Sequence, residues 1–170
     1  MIKGQEVQMG FVPAQIYKVL CHKVEVAQSA KGFKMAKLNL EIIGPEIAEA
    51  AGVQYKTLGT QGTAYAMLEN KNGVDAALNM LSPALKALGL YDALPNDYGQ
   101  GDVELALKTL EGGKFNMLVQ SQTEYAVDNA EDRFTAAKAK RDENGELIVK
   151  RYTPQFDFGQ VRGGFEPAAF

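Results

Sequence analysis

In the run "KMAKLNLEII", residues 34–43, Ala36, Leu38, Leu40 and Ile42 alternate with Lys37, Asn39 and Glu41. A period of two sends alternate side chains to opposite faces of an extended strand, so this run has one apolar face and one polar face. It is the clearest strand in the chain. Its backbone needs neighbouring strands and its apolar face needs a cover, and the remaining sequence can be searched for both.

Residues 14–27, "AQIYKVLCHKVEVA", are rich in Val, Ile and Tyr and make the preceding strand of a hairpin. Its alternation slips near Cys21, which marks a bulge or a strong bend. The connection "QSAKGF" carries the Ser and Gly common in longer hairpin loops and puts Lys31 and Phe33 at an exposed tip. Residues 44–54, "GPEIAEAAGVQ", read as a short helix leaving the sheet, and a third strand falls within 55–68. The "GTQGT" in that strand lacks the Gly-Lys-Ser/Thr ending of a phosphate-binding loop and reads as a strand bulge.

Helical spacing follows. Val74, Ala77, Leu78, Leu81, Leu85 and Leu88 recur every three to four residues before Gly89, with Ser82 and Pro83 reading as a cap and first turn that divide the segment into two short helices. Asp102 caps a further helix with the stripe Val103, Ala106, Leu107 and Leu110, ending at Gly112 and Gly113. These helices supply the cover. Strand pattern returns over 114–127, Asn144-Gly145 is the strongest hairpin-turn signal, and the last strand is expected at 146–153, stopping before Pro154. The expected domain is 1–158, followed by an extended C-terminal tail, 159–170.

With 170 residues, of which 46% are hydrophobic, the chain is long enough to bury one sizeable core. No apolar run nears the roughly 20 residues that cross a bilayer, and "MIKGQEVQMG" lacks a basic-then-apolar leader pattern. A cytoplasmic protein without a membrane partner is expected. The lone Cys21 and lone His22 cannot build a disulfide or a zinc site, and as strand neighbours they point to opposite faces. Glu131-Asp132 and Asp142-Glu143 lie in loop-like sequence with no supporting cluster. The expectation is a binding protein with no catalytic residues, metal or cofactor.

Net charge is -3, but it is segregated. Residues 18–38 hold five lysines against Glu25, a net of +4; residues 39–132 hold fourteen acids against five lysines, a net of -9; residues 133–151 hold six basic residues against three acids, a net of +3. A polyanion responds to such local surfaces rather than to the total. The element order is mainly β with a helical insert (α+β), and it fits a five-stranded OB-fold-like barrel with helices between strands three and four. Such barrels bind oligonucleotides on strands two and three and in the loops joining strands one to two and four to five. Both positive segments fall on those loops.

The segments "YKVLCHKVEVAQSAKGFKMAKLNLEII", "LSPALKALGL", "LEGGKFNMLVQSQTEY" and "IVKRYTPQF" resemble those of small phage proteins encoded near replication and recombination genes, some of them single-stranded DNA-binding proteins of OB fold. The resemblance spans most of residues 10–158. It implies DNA protection during phage replication or recombination in the host cytoplasm, and replication or recombination proteins as partners through the tail. Bacterial single-stranded DNA-binding proteins share a strongly acidic tail ending in an apolar residue; here the closing stretch "FDFGQVRGGFEPAAF", residues 156–170, ends in Phe170 but holds only Asp157 and Glu166.

Single strands are held by cations on phosphates and by exposed rings stacking on bases. Lys18, Lys31, Lys34, Lys37, Lys56, Lys138, Lys140, Arg141, Lys150 and Arg151 are the candidate phosphate contacts, and Phe33, Tyr55, Tyr65 and Tyr152 the candidate stacking residues. Burial in the barrel is the competing reading for each ring. The competing function is a phage structural protein that assembles with copies of itself, a homo-oligomer using its sheet and tail without nucleic acid.

Overall fold

The alternating run becomes β3 (Lys34–Gly44), paired antiparallel with β2 (Gln15–Gln28) through a tight turn in which Ser29 accepts the Gly32 N–H. The pairing slips between Cys21 and Lys23, leaving His22 at the expected bulge. β6 (Gln61–Met67) extends the sheet beyond β3, and β7 (Lys114–Tyr125) and β8 (Val149–Glu166) extend it beyond β2, giving the order β6-β3-β2-β7-β8. This is a computed structural model, and it describes residues 7–169. A second sheet of three short strands, β1 (Val7–Gln8), β5 (Val53–Lys56) and β4 (Ile47–Ala50), lies in the order β1-β5-β4. The protein is thus mainly β, of the α+β class, with α1 (Val74–Ala87) and α2 (Gln100–Lys108) between β6 and β7.

One face of the large sheet makes the core. Tyr17, Val19, Cys21, Leu38, Leu40, Ile42, Phe115, Met117, Val119, Phe156 and Phe158 are buried there, and Leu78, Leu81 and Leu85 of α1 with Val103 and Leu107 of α2 cover them. Fully burying one such large apolar side chain contributes about 1.5–3 kcal/mol. Tyr17 keeps its polar end satisfied by donating its hydroxyl to the Pro13 carbonyl at 2.6 Å, and burial pushes that phenol up to about 12. Phe156 packs directly on Gly62, where an added Cβ would overlap its ring. Gly62 is therefore a point of close approach, and the ladder between β3 and β6 runs without a bulge.

Six expectations are corrected. The large sheet does not close into a barrel: β6 and β8 run in the same direction along its two edges, and no ladder joins them. Ser121 gives its N–H to Val12, so its partner Pro154 turns its ring nitrogen toward the β6 side, where it has no hydrogen to donate. Residues 47–56 form the β4–β5 hairpin instead of a helix, turning on Ala51 (φ 51°) and Gly52 (φ 79°), and Thr57–Thr60 form a turn in place of the bulge.

α1 is one helix through Pro83. Proline at 83 removes the bond that the Asn79 carbonyl would accept four residues earlier, and the Ser82 hydroxyl donates to that carbonyl instead at 2.8 Å. Asp102 sits inside α2, accepting the Gly99 N–H at 2.9 Å. Finally, β8 passes through Pro154 and pairs with β7 as far as Glu166, with Phe158 and Val161 buried, so most of the expected tail is sheet. Pro154 is tolerated because its strand is an edge.

Candidate nucleic-acid interface

The polar set of the alternating run lines the outer face of the sheet. In register across β2, β3 and β6 lie Glu25, Lys37 and Tyr65 in one row, Lys23, Asn39 and Thr63 in the next, and Glu41 beside Gln61 in a third. Tyr65 is 52% exposed, a large ring standing on an open sheet face next to a lysine. Lys23 reaches Glu25 at 2.5 Å, and that hydrogen bond is the main cause holding the Glu25 carboxyl below its ordinary value. Lys37 has no carboxylate within ion-pair distance among the described residues. His22 and Gln61 both contact the Glu41 carboxylate, at 3.0 and 3.2 Å, closing off the bulge end of the face.

At the β2–β3 turn, Lys31 is exposed and Phe33 is half-buried, its N–H held by the Ser29 hydroxyl at 3.1 Å. Lys34 is tied on both sides, its ammonium to Glu104 of α2 and its N–H to Glu69 at 2.7 Å. Lys18 lies lower on β2 and pairs with Glu166 at 2.5 Å. On the core side of the same strand, Cys21 is buried; burial first, then the Glu111 carboxylate, pushes its thiol up to about 12.

The other positive segment is at the far end of the sheet. β7 and β8 run past the start of β2 as an arm, joined by residues 126–148, which fold into two short helical turns and a tight Asn144-Gly145 turn between Arg141 and Leu147. Lys138, Lys140, Arg141, Lys150 and Arg151 are all exposed there. Arg151 and Lys150 reach Glu124 at 3.1 and 3.8 Å, and Lys140 reaches Asp128 at 3.2 Å. Tyr152 and Tyr55 flank Phe11, with ring centroids 5.1 and 4.9 Å from it, so the three rings tie the arm to the small sheet beside exposed Lys56. None of the four candidate rings is in the core: Tyr65 and Tyr152 are exposed, and Phe33 and Tyr55 are half-buried.

The structure thus brings Lys31, Phe33, Lys34, Lys37 and Tyr65 to one end of the sheet, with Lys37 and Tyr65 on its outer face and Lys34 turned to the side that α2 covers. Tyr55, Lys56, Lys138, Lys140, Arg141, Lys150, Arg151 and Tyr152 gather at the other end. Between the facing edges of β6 and β8 runs a groove of about 420 Å³ bounded by Thr63, Tyr65 and residues 154–158. It shares Tyr65, Asp157 and Phe158 with a cavity of about 390 Å³ beneath α1. Sequence reading missed this seam and missed Phe11, since no local spacing marks the meeting of strands so far apart in the chain. Among the described residues no group of three or more His, Cys, Asp or Glu side chains is placed to hold a metal ion, and no helix is long and apolar enough to cross a membrane. No protein-family model and no curated protein sequence matches the chain.

Proposed function

We propose that this protein binds single-stranded DNA with little base preference, in phage replication or recombination, along the outer face of β3 and β6. Two features of the fold support the reading. Counting only the five long strands, the order β6-β3-β2-β7-β8 is third, second, first, fourth, fifth, with helices between the third and fourth. That order, with same-direction third and fifth strands facing across an open seam, fits the partly open five-stranded OB barrel, whose oligonucleotide surface centres on strands two and three.

The observation that carries the proposal is the pair Tyr65 and Lys37: an exposed ring beside a lysine without an acid partner among the described residues, in the middle of that surface. A stacking ring serves any base and a lysine serves any phosphate. Lys31 and Phe33 extend the path at the turn, while Lys34 stays bound to Glu104 on the helix side.

Fluorescence anisotropy with labelled oligothymidine, and with a duplex of equal length, tests this reading. Tight, salt-sensitive binding of the single strand and much weaker binding of the duplex is the expected result. Equal affinity for both sinks it. A self-assembling structural protein is the second reading, favoured by Ile16, exposed on the same outer face opposite Leu118; a large, defined oligomer with no oligonucleotide affinity would establish that instead.

A further inference from the structure

The cavity beneath α1 opens beside Tyr65, so a single strand lying on the sheet face passes its mouth. Its walls are soft and flat: Tyr65, Met67 and Phe158 on the strands and Met80 of α1 across from them, with Met80 76% exposed. At about 390 Å³ it is within the range of small-molecule sites. Two polar groups complete the lining. Asp157 spends Oδ1 on the Gly159 N–H at 2.9 Å, and its Oδ2 has no hydrogen-bond partner among the described residues. Asn70 spends its oxygen on the Asn72 N–H at 2.8 Å, while its amide nitrogen faces only the Met80 sulfur at 3.8 Å.

The cavity therefore offers one acceptor and one donor above an apolar floor. A carboxylate at the mouth repels phosphate, which stays outside with Lys37. An anionic acceptor beside an amide donor complements a base edge with an exocyclic amine next to a ring-nitrogen acceptor, the edge of cytosine or adenine. Uracil and thymine can give their ring N–H to the carboxylate and one carbonyl to the amide, but their second carbonyl then lies against the carboxylate, which makes them the poorer match.

We infer that this cavity takes one unstacked base from the bound strand and favours cytosine or adenine over thymine or uracil. The inference rests on the single-strand binding proposed above and adds one selective position to an otherwise indifferent path.

The test compares a labelled oligodeoxyuridine with the same oligomer carrying one central deoxycytidine, a change confined to the donor and acceptor pattern of one base. The single deoxycytidine is expected to tighten binding roughly fivefold to tenfold, the size of one ordinary net hydrogen bond. In Asp157→Asn, which keeps an oxygen for Gly159, that ratio is expected to fall to near one. If both oligomers bind wild type equally, the base cavity is wrong and the sheet-face reading stands. If neither binds, both are wrong. An unchanged ratio in Asp157→Asn also overturns the inference, because the preference would then arise elsewhere.

Discussion

The β2–β3 side of the sheet and the β7–β8 arm both carry the positive charge counted along the chain, yet they fold into different surfaces. In the arm the acids needed for neutralisation come from the same excursion: Glu124 takes Lys150 and Arg151, and Asp128 takes Lys140. Residues 124–151 hold seven acids against six basic residues, so the arm as folded is nearly neutral. On the β2–β3 side Glu25 takes Lys23 from the same strand, but the partners of Lys34 and Lys18 arrive from distant elements, Glu104 on α2 and Glu166 at the end of β8, and Lys31 and Lys37 are left without acid partners among the described residues. The rings differ as well. Tyr152 and Tyr55 pack on Phe11, whereas Tyr65 stands on the sheet face beside Lys37. Local field depends on which charges meet in space, so a positive run in sequence identifies a binding surface only where its counter-charges fold elsewhere.

The largest effect expected from this contrast is on folding. Phe156→Ala removes a buried ring from the seam between β6 and β8 and should lower stability by about 3–5 kcal/mol. Tyr152→Ala removes only an exposed edge-to-face contact and should cost no more than about 1.5 kcal/mol. Urea unfolding of both variants checks this, and equal losses would erase the distinction between seam and arm.

Binding comes next. Tyr65→Ala should cost about 1–3 kcal/mol of oligothymidine affinity with little change in melting temperature, because the ring is exposed. Tyr152→Ala should cost clearly less, and a reversed order would move the site to the arm. Smaller still, Lys31→Ala and Lys37→Ala should each flatten the log-log salt dependence of affinity by about 0.7, while Lys150→Ala, tied to Glu124, should change it less.

The smallest effect is on pH dependence. Glu25, Glu111 and Glu166 all have carboxyls held below 4.5, each chiefly by a lysine hydrogen bond, from Lys23, Lys108 and Lys18 in turn. Carboxyls depressed in the folded state stabilise it above the unfolded value, and that contribution is lost as pH falls through the folded values. Melting temperature should therefore decline modestly from about pH 4.5 downward, and Glu111→Gln should flatten the decline.

Much of the large sheet was legible because its signals are local. The alternation of Ala36, Leu38, Leu40 and Ile42, the slip at Cys21 and the Asn144-Gly145 turn each express a constraint within a few residues. The β4–β5 hairpin was not, because its tight turn uses Ala51 in a positive-φ conformation that usually signals itself with Asn or Asp, and "EIAEAA" has helical composition. β8 outran its expected end because Pro154 blocks only a central strand, and whether a strand is an edge is decided by the whole sheet. The lysines and rings of the candidate site were legible as residue types. Which of them share a face was not, since Lys37 meets Tyr65 only through the pairing of β3 with β6.

The sheet face can be tested against the arm in one measurement: ultraviolet crosslinking of oligothymidine carrying 5-iododeoxyuridine, with the attached peptide identified by mass spectrometry. Crosslinking at Tyr65, with or without Phe33, is the expected result. Crosslinks confined to Tyr55 or Tyr152, or to no aromatic residue of the sheet face, would contradict it.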